Sequence, residues 1–241
     1  MESLTRKQFL GAALAPLAAE SAQQQQQSAG SYFSDLRAAM QVEWPKNQTI
    51  HIVAHGHSVP SGYFRTPMVQ TFDSYPHLFH RHLANHFPHA VINVVVTAIG
   101  GEHSVTGAAR FERDVLAFRP KLVLIDYGLN DRGPGLAKAR EAWLSMIRKS
   151  EAAGAKLILL TPTGDSRVNI MDDSISLSQH AVQIRDIAKE NNLPLVDSYQ
   201  IYRSHIRAGG KIEDLLSQIN HPNRRGHDLV AAALLEQFLT R

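Results

Sequence analysis

From Thr49 onward the chain alternates short apolar runs with amphipathic stretches. Five runs, at 50–54, 91–97, 122–127, 157–161 and 195–197, are rich in Val, Ile and Leu and lack polar alternation. Continuous apolar strands are expected where helices cover both faces of a parallel sheet. Each gap between runs is long enough for a crossover helix. Apolar positions at helical spacing predict helices over 73–87, 108–118, 136–152, 174–191 and 225–239, with Gly154 closing the third. A further short helix, capped by Ser31 and running to Met40, is expected before the first strand. The fold class that follows is α/β: a three-layer α/β/α sandwich around a central parallel sheet of about five strands, with right-handed crossovers.

At 241 residues and 44% hydrophobic content, the chain can bury one sizeable core, and no shift of composition marks a second folded unit. The reading is a single domain over 31–241. The 25 basic and 22 acidic side chains leave a net charge of +3 and are dispersed. They form no basic stripe of the kind that neutralises phosphates, so no nucleic-acid partner is expected. With no cysteine, disulfides, thiolate catalysis and cysteine metal sites are excluded. Gly-x-Gly-x-x-Gly and Walker loops are missing from the sequence, and no cofactor is expected.

Arg6 and Lys7 precede an apolar stretch at 9–19 that gives way to small residues. This is the layout of a cleaved export signal, expected over 1–22, which would make the protein periplasmic or secreted. Residues 5–10 resemble a twin-arginine signal with lysine in place of the second arginine, which leaves Tat and Sec export both open. The stretch is too short to cross a bilayer, so no integral membrane span is expected. The glutamines at 23–27 belong to a solvated linker, 23–30.

Candidate chemistry gathers where the strands end. Ser58 follows the first run, in Gly56-His57-Ser58-Val59-Pro60-Ser61-Gly62. Gly100-Gly101 follows the second and Gly128-Leu129-Asn130-Asp131 the third, while His221 stands in Ile219-Asn220-His221-Pro222-Asn223 ahead of the last helix. Open parallel sheets bind ligands outside the carboxyl ends of their strands, so these segments are expected to converge. A serine hydroxyl is a poor nucleophile unless a base takes its proton, and acyl transfer needs donors aimed at the developing oxyanion. Ser58, His221, Gly101 and Asn130 could supply all of these.

The order and spacing of these blocks resemble the SGNH hydrolases, also called the GDSL esterase and lipase superfamily, from about Ile50 to Leu239. The resemblance implies a flavodoxin-like SGNH hydrolase fold, with Ser58 as nucleophile and His221 as base. It implies oxyanion donors from Gly101, with Gly100 next, and from the Asn130 amide; Asp131 is expected to brace the loop. Two positions depart from the family pattern. His57 stands where the Gly-Asp-Ser block has aspartate, and is read as a structural replacement. Gln218 occupies the acid position of Asp-x-x-His, so the acceptor behind His221 Nδ1 stays open between a backbone carbonyl, the Gln218 amide oxygen and an acid from elsewhere, with Asp197, Asp214 and Asp228 as candidates.

The function implied is an exported serine esterase working through an acyl-enzyme on a small-molecule or glycan ester, with acetyl or another short acyl group as the part removed. The competing reading is a carbohydrate- or ligand-binding module that keeps the fold but has lost turnover, motivated by His57 and Gln218. Oligomeric state is left undetermined. His82 and His86 have chelating i,i+4 spacing but lack the glutamate and third ligand of a zinc helix, so they are read as a solvated face and no metal is expected. His103 either lines the pocket or is an exposed loop residue. Tyr63, Phe64, Arg65, Arg110, Arg132 and Arg167 lie near strand ends and are candidates for shaping the acyl or alcohol side. Trp44 and Trp143 are expected to pack in the interior.

Overall fold

The computed structural model describes residues 32–240; the expected export signal, linker and capping Ser31 lie outside the described residues. After α1 (Ser34–Met40) come β1 (Thr49–Gly56), α2 (Ser58–Ser61), α3 (Tyr75–His86) and β2 (Val91–Val96). Two short helices, α4 (Ser104–Ala109) and α5 (Phe111–Asp114), lead to β3 (Leu122–Asp126), followed by α6 (Leu136–Ala152), β4 (Lys156–Leu160), α7 (Ser176–Glu190) and β5 (Leu195–Val196). The chain closes with α8 (Ser198–Arg207), a small hairpin of β6 (Leu216–Gln218) and β7 (His221–Pro222), and α9 (Arg224–Leu239).

The five apolar runs are the five strands of one parallel sheet, ordered β2-β1-β3-β4-β5. Successive side chains of a strand face opposite layers, and here both faces are buried. Ile52, Ala54, Leu122, Leu124, Ile158 and Leu160 pack with α1, α3 and α9, while Val53, Val123, Ile125, Leu157 and Leu159 pack with Phe111, α6 and α7. The apolar continuity of the runs follows from this double burial. Because β1 has β2 on one side and β3 on the other, the strand order reverses at β1 and β3. That switch point is where open α/β sheets bind ligands.

Three expectations need correction. The helix expected over 108–118 is broken into α4, α5 and a 3-10 turn at Leu116–Phe118; the chain leaves helical geometry at Arg110, whose guanidinium turns back to Glu102. The stretch after β5 holds a helix that was not anticipated, α8, capped by Asp197, whose carboxylate accepts the Gln200 N–H at 3.1 Å. Trp143 is fully buried, but Trp44 is 83% exposed because it sits in the surface connection between α1 and β1, outside both apolar clusters.

Candidate active site

The turn carrying Ser58 is set by its neighbours. A Cβ on Gly56 would lie 2.3 Å from the Asp126 carbonyl oxygen, so only glycine lets the ends of β1 and β3 pair this closely. His57 caps α2: its Nδ1 accepts the Val59 N–H at 3.2 Å. The ring proton therefore sits on Nε2, which faces Asp126 Oδ1 at 3.3 Å. Asp126 Oδ2 in turn accepts the Tyr75 hydroxyl at 3.1 Å, and all three side chains are buried. Neither His57 Nε2 nor Asp126 Oδ1 has a hydrogen-bond partner among the described residues, so His57 holds the turn through its cap of α2 and faces Asp126 as a close polar neighbour. Pro60 has no N–H, Ser61 N–H goes to the His57 carbonyl, and the Ser58 N–H has no acceptor among the described residues.

The β6–β7 hairpin brings His221 across from the far end of the sequence. Its Nε2 lies 3.0 Å from Ser58 Oγ, and its Nδ1 lies 2.8 Å from the carbonyl oxygen of Phe64. A carbonyl can only accept, so Nδ1 carries the proton and Nε2 offers a lone pair to the serine hydroxyl. That is the tautomer a general base needs. Burial pushes the His221 pKa below the ordinary histidine value; the Phe64 carbonyl opposes the shift and His57 adds to it. The imidazole is therefore neutral at neutral pH.

Of the alternatives for the acceptor behind His221, the backbone carbonyl is the one present. Gln218 is engaged by Thr66 instead: its Oε1 accepts the Thr66 N–H at 2.8 Å and its Nε2 donates to Thr66 Oγ1 at 2.9 Å. It clamps the loop that supplies the Phe64 carbonyl. Asp197 binds Arg185 and caps α8, Asp214 pairs with His205, and Asp228 pairs with Arg224. None of the three carboxylates reaches His221.

Gly101 and Asn130 meet on one turn. Glu102 N–H donates to the Ile99 carbonyl at 3.2 Å and Gly101 has φ +79°, the geometry of a type II turn that requires a positive φ at its third residue. The Gly101 N–H has no acceptor among the described residues. Asn130 Nδ2 donates to the Glu102 carbonyl at 3.0 Å, which fixes the amide to that turn and leaves its second N–H available. Asp131 braces the loop by accepting Ser104 N–H and Trp143 Nε1–H, each at 2.7 Å. Gly100 packs on the ring of Tyr63, which in turn lies 5.9 Å from the His221 ring. N–H donors of this kind, set at the ends of neighbouring strands with a hydroxyl and a neutral imidazole, are the groups that stabilise a tetrahedral oxyanion.

Several supporting residues carry no signal in the sequence. Glu102 receives the Tyr127 hydroxyl at 2.8 Å and Arg110 Nε at 2.8 Å, and Tyr127 also meets His55 Nε2 at 3.0 Å. Asp126 and Tyr75 are likewise unmarked in the sequence, and Phe64, a candidate there for shaping the acyl or alcohol side, enters instead through its backbone carbonyl. No motif spacing marks them, because each works through a contact between distant segments. His103 caps α4 by accepting Thr106 N–H at 3.4 Å. Among the described residues, no group of three or more His, Asp or Glu side chains is placed to hold a metal, and no helix is long and apolar enough to cross a membrane. A groove of about 1150 Å³ runs beside β5, α8 and α9, and its lining includes neither Ser58 nor His221.

The model of the GDSL-like lipase/acylhydrolase family matches residues 54–229. Among curated proteins, none matches the sequence. A solved two-domain esterase active on acetylated mannans is similar at a TM-score of 0.69 and 22% identity, over 84% of this chain and 50% of that one, so this chain spans about half its length. The acetylxylan esterase Axe2 from Geobacillus stearothermophilus is similar at a TM-score of 0.66 and 21% identity, over 78% of this chain and 94% of that one. Catalytic mutants of Axe2 replace a serine, a histidine, and an aspartate three positions before that histidine. In this chain the residue three positions before His221 is Gln218. At these identities the likeness to solved structures shows the fold.

Proposed function

This chain belongs to the GDSL-like lipase/acylhydrolase family, and on that premise we propose that it is a serine esterase that forms an acyl-enzyme on Ser58. The observation that carries this reading is the line from Ser58 Oγ through His221 to the Phe64 carbonyl. His221 Nε2 takes the hydroxyl proton as Oγ attacks the ester carbonyl. The oxyanion forms against the N–H groups of Ser58, Gly101 and Asn130. As the tetrahedral intermediate collapses, imidazolium Nε2–H protonates the leaving alcohol, and the acyl group remains on Ser58. Water then enters, His221 takes its proton, and the acid is released with Ser58 restored.

The substrate proposed is a carbohydrate ester carrying acetyl or another short acyl group. Its support is the fold shared with esterases whose substrates are acetylated mannans and acetylxylan. The two departures that motivated a binding-only reading are both accommodated: His57 caps the turn that carries Ser58, and a carbonyl stands behind His221. Release of p-nitrophenol from p-nitrophenyl acetate by the wild type and by Ser58→Ala tests the proposal. Activity lost with Ser58 supports it, and a folded wild type no faster than the variant sinks it.

A further inference from the structure

Two arginines beside the site share one buried carboxylate. Asp165 follows β4 and is fully buried. Its carboxylate accepts Arg132 Nη2 at 2.9 Å, Arg167 Nη2 at 2.7 Å, Arg167 Nε at 2.9 Å and the Arg167 backbone N–H at 3.0 Å. Burial alone would raise the Asp165 carboxyl, but these bonds hold it below the ordinary aspartate range. One negative charge thus answers two positive ones. Arg132 Nε donates to the Leu129 carbonyl, and among the described residues neither guanidinium pairs with another acid. The neighbouring Asp131 is occupied by Ser104 N–H and Trp143. The surplus charge is accessible, since the Arg167 side chain is 56% exposed and that of Arg132 26%.

Its position relates it to the reaction. β3 and β4 are neighbours in the sheet, and Arg132 lies two residues past Asn130. Ser166 N–H donates to the Ile219 carbonyl at 2.8 Å, which ties the Arg167 loop to the segment carrying His221. In the mechanism above, His221 delivers its proton to the leaving alcohol, so the alcohol part of the ester lies on the side of this segment.

We propose that Arg132 and Arg167 form a subsite for a carboxylate on the alcohol portion of the ester, making O-acetylated uronic-acid sugars the preferred substrate class; this rests on the esterase reading. The guanidinium edges not used by Asp165 hold the carboxylate through charge-assisted hydrogen bonds. Such a bond at a part-exposed site corresponds to about tenfold in affinity or in kcat/KM, and weakens as salt rises.

The test compares an O-acetylated methyl galacturonoside with the matching acetylated methyl galactoside, which differ in carboxylate against hydroxymethyl. At low ionic strength the wild type is expected to favour the uronide about tenfold in kcat/KM. In Arg167→Gln the ratio is expected to fall close to one, whatever happens to the absolute rates. That variant leaves the Asp165 carboxylate bonded to Arg132 and to the Arg167 backbone N–H. A wild-type ratio near one, or a preference that survives in Arg167→Gln, would overturn the subsite. Neutral p-nitrophenyl acetate tests the esterase reading separately: Ser58-dependent turnover with no uronide preference removes only the subsite. If no ester is turned over, calorimetric binding of deacetylated methyl galacturonoside and methyl galactoside to the Ser58→Ala protein still decides the subsite. The uronide is expected to bind about tenfold tighter, and equal binding overturns the inference.

Discussion

His221 Nδ1 lies 2.8 Å from the carbonyl oxygen of Phe64, where the sequence pattern of related hydrolases would place an aspartate. A carbonyl fixes the imidazole tautomer as a carboxylate would, because both only accept. It supplies a dipole rather than a full charge to the imidazolium that forms during proton transfer. What remains of the triad's function is orientation, and orientation depends on the loop holding Phe64. Gln218 holds that loop through two hydrogen bonds to Thr66.

Gln218→Ala is therefore expected to lower kcat by about tenfold while changing KM little, since supporting contacts that orient a reacting group are worth roughly 10- to 100-fold. Gln218→Asp should not raise activity, because His221 Nδ1 is already bonded to the Phe64 carbonyl and the shorter side chain gives up the two bonds to Thr66 that hold that loop. Steady-state kinetics on both variants checks this; a gain of activity in Gln218→Asp would show that the carboxylate can reach the imidazole.

Asn130→Ala removes one oxyanion donor and also releases the Glu102 turn that carries Gly101. Loss of one such donor costs about 10²–10³ in kcat. The same measurement should find KM much less affected, since the donors act on the transition state.

His57→Asp would restore the family's Gly-Asp-Ser block, yet it should destabilise this protein. The new carboxylate would be buried against Asp126, and two adjacent buried carboxylates cannot both ionise. A loss of about 3 kcal/mol is expected, in line with breaking a buried charged or hydrogen-bonded pair. Adding Asp126→Asn should recover part of it. Urea denaturation of the single and double variants measures both effects.

Acid pH should act twice. Burial lowers the His221 pKa, so the acid limb of kcat/KM should have its midpoint below the ordinary histidine value of about 6.5. Stability should respond to two other histidines. Burial, with help from His221 and Arg224, lowers His227 to about 3; burial and the Arg110 charge lower His55 to about 4. Both bind protons in the unfolded chain near pH 6.5 but stay neutral in the fold. Their stabilisation is complete above that pH and is lost as pH falls towards 4 and 3. Between about pH 6 and 4 the loss should be roughly 1.4 kcal/mol per pH unit for each histidine. Denaturation midpoints against pH measure it.

The sheet was readable because each strand is buried on both faces, which writes an unbroken apolar run into the sequence. Ser58, Gly101, Asn130 and His221 stand out as candidates in the sequence because each lies in a short block next to a strand end or a helix start. The part of Phe64 does not show there, since it is played by a backbone carbonyl that any residue would provide. Glu102 with Tyr127, and His57 with Asp126, were hidden for another reason. Each pair joins separate strand ends, and a contact across the sheet leaves no periodicity. The apolar spacing over 108–118 is helical, whereas the ion pair of Arg110 with Glu102, where the helix breaks, is a tertiary contact that the spacing does not show. Trp44 shows the limit of treating a large aromatic as core: it stands in a surface loop and joins neither apolar cluster.

The most direct test of covalent catalysis by Ser58 is rapid acid quench of the enzyme with p-nitrophenyl acetate, followed by intact-mass and peptide analysis. The expected result is one acetyl group per chain on the peptide containing Ser58, formed with the first burst of p-nitrophenol and absent from Ser58→Ala. Continued p-nitrophenol release by the Ser58→Ala protein, or an acetyl group on another residue, would mean that the Ser58–His221–Phe64 line is not the reacting centre.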